Sequence, residues 1–213
     1  MIAVRQEPEK YRDLVLWACK RNFAYDVQSE GTRSWYTYTM VNAYPDKEPF
    51  LTAAEDALKK YRPNSSWDLL HLSEILQFFA MDGYESARQA LEEKYQEILA
   101  AMFALKRRPN RIFHELSDLE QLGLTLAVDR TSFLRIAKDF GRLYQEKKYM
   151  CDGDFAWFFS SKGGQFRKTM ESAVRKDENI ACFFQRESAD IAAREELWEQ
   201  RKKNFPDDLT GVR

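Results

Sequence analysis

Between Tyr84 and Leu105 the apolar residues fall at Tyr84, Ala87, Leu91, Tyr95, Ile98, Met102 and Leu105, each step three or four residues long. That spacing puts seven side chains on one face of an α-helix and has no counterpart in a strand, whose side chains alternate with period two. The same rhythm returns at Phe113, Leu116, Leu119, Leu122 and Leu126, and again after Asp129 at Phe133, Ile136, Ala137, Phe140, Leu143 and Tyr144. Residues that break helices are few: 8 glycines and 6 prolines in 213 residues. Ala, Leu and Glu number 21, 20 and 19, against 7 Val, 7 Ile and 8 Thr. A chain rich in helix formers and poor in β-branched residues is expected to be all-α, with no significant sheet.

Eight to ten helices are expected. The first starts at Pro8, which suits an opening turn, and runs to about Tyr25 with Tyr11, Leu14, Val15, Ala18 and either Asn22 or Phe23 on its apolar stripe and Trp17 beside it. Trp35, Tyr36, Met40 and Ala43 or Tyr44 follow helical spacing up to Pro45. Pro49 opens a further helix to Tyr61, with Thr52 and Glu55 at the spacing of a capping box. Ser65 is placed to cap the helix carrying Trp67, Leu69, Leu72, Leu76 and Phe79, which Asp82-Gly83 ends. Asp154 suits the cap of a segment holding Phe155, Trp157, Phe158 and Phe159. Gly163-Gly164 marks a turn before Phe166, Met170, Ala173 and Val174. The tail from Asn179 to Asn204 holds Phe183, Phe184, Ile191 and Trp198 and ends in a polar helix. No Gly/Ser/Pro linker divides the chain, so residues 1–213 are read as one helical domain with a frayed tail over 206–213.

Several function classes are disfavoured. With 33 Lys+Arg against 34 Asp+Glu, the net charge is −1, which does not suit a strongly basic nucleic-acid binder. The charge is uneven, however: residues 51–100 hold 5 basic and 9 acidic side chains, residues 101–150 hold 10 and 6. Cys19, Cys151 and Cys182 form no CxxC pair and have no His at ligand spacing, the pattern of free thiols in a reducing cytoplasm. The start of the chain lacks the apolar core of a signal peptide, and no run reaches a membrane span. The expectation is a cytoplasmic protein without membrane contact.

Chemistry-bearing patterns are sparse. His71 has only Glu74 at helical spacing, and His114 has no ligand partner, so no metal is expected. There is no GxSxG elbow, no P-loop and no dinucleotide fingerprint, and no cofactor is expected. Gly163-Gly164-Gln165 spells a release-factor tripeptide but stands without the rest of that layout and reads as a turn. Asp152 and Asp154 lack the acidic ladder of a calcium loop. No catalytic residue is nominated, and the reading leans away from an enzyme.

Two clusters remain. Tyr25, Asp26, Gln28, Glu30, Arg33, Trp35 and Tyr36 crowd aromatic, charged and amide groups, with Tyr38 adjoining, around one interhelical turn, the composition of an interaction hot spot. The competing account is local: Asp26 and Glu30 cap helix ends, Arg33 pairs with one of them, and the rings are core. Lys106, Arg107, Arg108 and Arg111 form the one dense basic turn, a phosphate-contacting surface or a set of solvated cations opposing a helix C-terminus.

The stretch Leu72-Ser73-Glu74-Ile75-Leu76-Gln77-Phe78-Phe79-Ala80-Met81-Asp82-Gly83-Tyr84-Glu85-Ser86-Ala87-Arg88-Gln89-Ala90-Leu91 resembles a HEAT-type unit, in which a helix ends in an Asp-bearing turn and an antiparallel helix follows. The resemblance covers about 20 residues, and no period near 40 residues repeats it. Ala24-Tyr25-Asp26-Val27-Gln28-Ser29-Glu30-Gly31-Thr32-Arg33 resembles a segment of uncharacterised bacterial helical-repeat proteins. Together these resemblances imply an irregular HEAT- or armadillo-like superhelix of stacked antiparallel helix pairs, whose usual work is to bind macromolecules. A protein partner is the first expectation. A HEAT-like nucleic-acid binder, or an enzyme akin to the alkylpurine DNA glycosylases, is the alternative.

Overall fold

In the computed structural model the described residues are 2–23, 39–62, 71–105, 113–147 and 158–204. They sort into two compact units, the first within Met1–Ala101 and Pro109–Thr125, the second within Met102–Arg108 and Leu126–Arg213. Among the described residues there is no strand, and the regular structure is helical throughout. The all-α class expected from the spacing is what the chain adopts.

The first unit contains α1 (Ile2–Gln6), α2 (Pro8–Phe23), α3 (Glu48–Lys60), α4 (His71–Phe79), most of α5 (Arg88–Ala104) and most of α6 (Phe113–Leu126). Helix α3 packs against α2 and against α4. Phe50 and Leu58 of α3, Leu72, Ile75, Phe78 and Phe79 of α4, and Leu91 and Tyr95 of α5 are fully buried. Each such side chain contributes roughly 1.5–3 kcal/mol by leaving water. Of the stripe expected from Tyr84, Leu91, Tyr95, Ile98 and Met102 are buried on α5 and Ala87 just before it, whereas Tyr84 lies in the preceding turn with φ +68°; the leucines of α6 at 116, 119, 122 and 126 are buried as their spacing requires.

Helix α4 tightens into one 3₁₀ turn, Ala80–Asp82, and then stops. Gly83 takes φ +68°, a left-handed conformation that costs glycine nothing. The Tyr84 N–H then donates to the Phe79 carbonyl (2.8 Å) and the Gly83 N–H to the Ala80 carbonyl (3.3 Å), the paired bonds that close a helix C-terminus. The Asp82 carboxylate accepts from the Ser86 N–H at 3.1 Å and leads the chain toward α5.

Two local expectations for the first unit are corrected. Helix α3 begins at Glu48, so Thr52 and Glu55 lie inside it and form no capping box. Pro49 occupies the first turn, where its missing N–H is no loss, and Asp46 accepts from the Glu48 N–H at 3.0 Å. On α2 the buried stripe is Val15, Cys19 and Phe23, spaced by four, while Leu14 faces water. Both stripes fit a helix. What selects the second is the tertiary setting: the Phe23 ring meets Phe78 edge-on at 4.8 Å.

The second unit holds α7 (Arg130–Glu146), a π turn (Phe159–Gly163), α8 (Arg167–Val174) and α9 (Glu178–Asn204). Asp129 caps α7 by accepting from the Ser132 N–H (2.8 Å), and Ser132 Oγ accepts from the Asp129 N–H (3.1 Å), a reciprocal box. Phe133, Ile136, Ala137, Phe140 and Leu143 are wholly buried, as the spacing predicts. Phe140 meets Phe158 edge-on at 5.0 Å and Phe183 at 5.8 Å. Phe133 stacks with Phe158 at 5.6 Å and with Phe166 at 4.8 Å. Gly163 ends the π turn, so the glycine pair does lie between helical segments. Helices α7 and α9 form the main contact of this unit, and α8 touches both.

Candidate partner-binding surface

The outward face of α2 is the candidate surface, and its orientation is fixed from beneath. Val15, Cys19 and Phe23 turn inward. Arg12 ties the helix to the approach of α3, donating to Asp46 at 3.4 Å and to Glu9 at 2.9 Å, with its guanidinium 5.7 Å from the centroid of the buried Tyr44 ring. Hydrogen bonds to Glu9 and then Asp46 raise the Arg12 pKa, so it stays a cation. Asp46 in turn receives the Glu48 N–H, so one carboxylate serves both helices.

With that rotation set, Leu14 is 59% exposed and Trp17 56%. The Arg21 guanidinium lies 5.5 Å from the Trp17 ring, one turn further on, and Lys10 lies 5.5 Å from the Tyr11 ring. A cation over an indole gains about 0.5–1 kcal/mol at an exposed site. It also holds the ring against the helix instead of letting it swing. A tryptophan with an arginine on its indole is the kind of group that anchors protein interfaces, and Leu14 adds exposed apolar area one turn away.

The groups beneath this face offer no reactive chemistry. Burial pushes the Cys19 thiol up to about 12, so it is a protonated, apolar filler at neutral pH. Burial, followed by the Glu9 charge, raises the pKa of the Tyr44 phenol.

A second polar arrangement joins α3, α5 and α6. Lys94 is only 3% exposed, and its ammonium donates to the Tyr61 carbonyl (3.0 Å), the Lys59 carbonyl (3.4 Å) and Glu97 Oε2 (2.6 Å). Carbonyls left over at the end of α3 thus receive a cation, which the helix dipole also favours there. The Tyr61 hydroxyl donates to Asp118 Oδ2 at 2.7 Å, and Asp118 is 3% exposed. Glu97 further meets Arg62 at 3.3 Å. These groups satisfy one another and the backbone, which is what a structural polar cluster does.

Among the described residues no group of three or more His, Cys, Asp or Glu could hold a metal ion, and no helix is long and apolar enough to cross a membrane. Cys19 and Cys182 are free thiols. The residues nominated from the sequence, Tyr25, Asp26, Gln28, Glu30, Arg33, Trp35 and Tyr36 and the basic turn Lys106, Arg107, Arg108 and Arg111, lie outside the described residues. So do Cys151, Asp152, Asp154 and the Ser65 cap. His71 and His114 fall on α4 and α6.

Sequence reasoning missed Leu14 as a surface residue because it sits beside Val15 and both match helical spacing. The signal that could have found it is Val15, Cys19 and Phe23 at steady four-residue steps, with Lys20 and Arg21 just beyond Trp17. No family model, curated protein or solved structure matches this chain.

Proposed function

We propose that this chain is a non-catalytic helical scaffold of HEAT-like type that binds a macromolecular partner, a protein before a nucleic acid. The observation that carries the reading is the exposed Leu14–Trp17 pair on a helix whose opposite stripe, Val15, Cys19 and Phe23, is buried. Rigid aromatic anchors on a regular element lose little conformational entropy on binding. The segment Tyr25–Tyr38, which follows α2 in sequence, is proposed as a further contact on its composition alone, with Asp26, Arg33 and Trp35 as its anchors. Free Cys19 and Cys182 agree with a reducing, cytoplasmic setting.

The test is affinity capture from the native cell with the wild-type chain and with Trp17→Ala, Leu14→Ser, Arg33→Ala and a Lys106/Arg107/Arg108 charge reversal, each checked by thermal melt. Specific protein bands lost in folded Trp17→Ala and Leu14→Ser, and kept in the charge reversal, bear the reading out. Capture unchanged by both α2 variants overturns the assignment to α2. Capture of nucleic acid, lost in the charge reversal alone, overturns the choice of partner.

A further inference from the structure

From Ala192 to Lys203 every residue of α9 is exposed, a stretch of roughly 18 Å at about 1.5 Å per residue. Leu197 is 59% exposed and Trp198 42%. Glu195, Trp198 and Lys202 share one side of the helix at steps of three and four, and the Lys202 ammonium lies 5.7 Å from the Trp198 ring. Arg201 adjoins them.

Cations in the last turn, Arg201, Lys202 and Lys203, suit the macrodipole. Glu199 follows from its place three residues before Lys202, the favourable order within a helix, but Glu195 has no cation three or four residues after it. Lys202 pairs with Glu199 at 2.7 Å, but Glu195 stands four residues from Glu199, a like-charge spacing that destabilises an isolated helix.

We propose that this end of α9 pairs antiparallel with the same segment of a second copy of the chain, forming a weak two-fold dimer. With the axis beside Trp198 and Glu199, Glu195 of each copy comes level with Lys202 of the other. Trp198 of each copy then lies within a turn of the other copy's Arg201, and the two indoles meet near the axis. The Glu195–Lys202 pair is therefore complementary to itself when reversed end for end, as an isologous interface requires, while Glu199 beside the axis keeps Lys202 of its own chain at 2.7 Å. A parallel arrangement would set Glu195 against Glu195 and Lys202 against Lys202, so charge selects the antiparallel one. So short a helix pair buries less than a standard interface, which makes the dimer a concentration-dependent one.

The experiment is sedimentation velocity on the full chain from micromolar to near-millimolar concentration, with Glu195→Lys, with Lys202→Glu, and with the two variants mixed. All three positions, Glu195, Trp198 and Lys202, are exposed, and circular dichroism checks that helix content is kept. Wild type should dimerise; each variant alone should raise the dissociation constant about tenfold, since attraction at two symmetric sites becomes repulsion. The equimolar mixture should return to within about threefold of wild type. In the mixed dimer the lysine introduced by Glu195→Lys faces the glutamate introduced by Lys202→Glu, while the unaltered Lys202 of the first variant faces the unaltered Glu195 of the second. A wild type that stays monomeric throughout, variants that dimerise as wild type does, or a mixture that fails to recover would each overturn the proposal.

Discussion

The backbone of Asn179 lies against Gly141, so close that a Cβ on Gly141 would overlap the Asn179 carbonyl oxygen and stand 2.7 Å from its carbonyl carbon. Gly141 lies within α7, and Asn179 is in the first turn of α9. The absence of a side chain at one position sets how near the two helices of the second unit can come.

Gly141→Ala is accordingly expected to destabilise the protein. Insertion of a methyl group into such a contact costs about 1–3 kcal/mol or more, because backbone and not a flexible side chain must move. Gly164→Ala is the control: Gly164 is exposed with φ −62° and ψ −47°, which alanine adopts freely. It should be neutral or stabilise by up to about 1 kcal/mol through the unfolded chain. Denaturant melts of the two variants, compared at equal slope, check the contrast.

Asp177 joins the same helices by charge. Its Oδ2 lies 2.8 Å from Lys138 Nζ of α7, and its Oδ1 accepts from the Asn179 N–H at 3.0 Å. The Lys138 hydrogen bond, offset partly by burial and aided by the backbone N–H groups, holds its pKa below the usual 3.8. A carboxylate with a depressed folded pKa contributes stability above its unfolded pKa and loses it as pH falls through the folded value. Asp177→Asn should therefore be less stable than wild type at pH 7, by about 0.3–1 kcal/mol, because Asn caps as well as Asp but carries no charge for Lys138 and the helix N-terminus. The gap should close as the pH is lowered below about 4. Urea melts from about pH 7 to about pH 2 span the carboxylate range and measure it.

Lys94→Met keeps the buried stem and removes the ammonium. The Tyr61 and Lys59 carbonyls and Glu97 lose a donor, at a cost of about 1–3 kcal/mol. Hydrogen exchange should then rise first in the last turn of α3.

Cys19 should resist thiol reagents at mildly alkaline pH in the native protein, since its thiol sits at about 12 and is fully buried, whereas the half-buried Cys182 should label first. Mass mapping of iodoacetamide adducts with and without denaturant reports both. Native labelling of Cys19 at the rate of Cys182 would show that α2 does not hold its buried stripe inward.

Helix α7 is the part of the fold most legible in the sequence. Asp129 announces its start, and Phe133, Ile136, Ala137, Phe140 and Leu143 mark one face with no competing stripe. Helix α2 is legible as a helix but not in its rotation, because Tyr11, Leu14, Val15 and Ala18 satisfy the period as well as Val15, Cys19 and Phe23 do. Contacts made by residues distant in sequence, Phe23 with Phe78 and Arg12 with Asp46, decide between them. The capping pair Thr52 and Glu55 misled because the spacing recurs by chance inside a helix, and Pro49, read as opening the helix, already puts Thr52 beyond its cap. Lys94 was invisible as a buried group for a similar reason: Glu97 at i+3 is also what an exposed helix pair looks like, and its other acceptors are main-chain carbonyls 33 and 35 residues away, which no side-chain pattern records. Only the exposure of Leu14 and Trp17, a tertiary property, turns a helical period into a candidate surface.

Phe133 stacks with Phe158, which precedes the π turn, and with Phe166, which follows it. One ring on α7 therefore fixes the volume available on both sides of that turn. Shrinking either of the two flanking rings changes what the other can accept, so their effects should not add. Over evolutionary time these three positions would then drift as a linked set, a lost ring at one being tolerated where another has grown, and the length of the winding between Phe158 and Phe166 would be held even where its residues change.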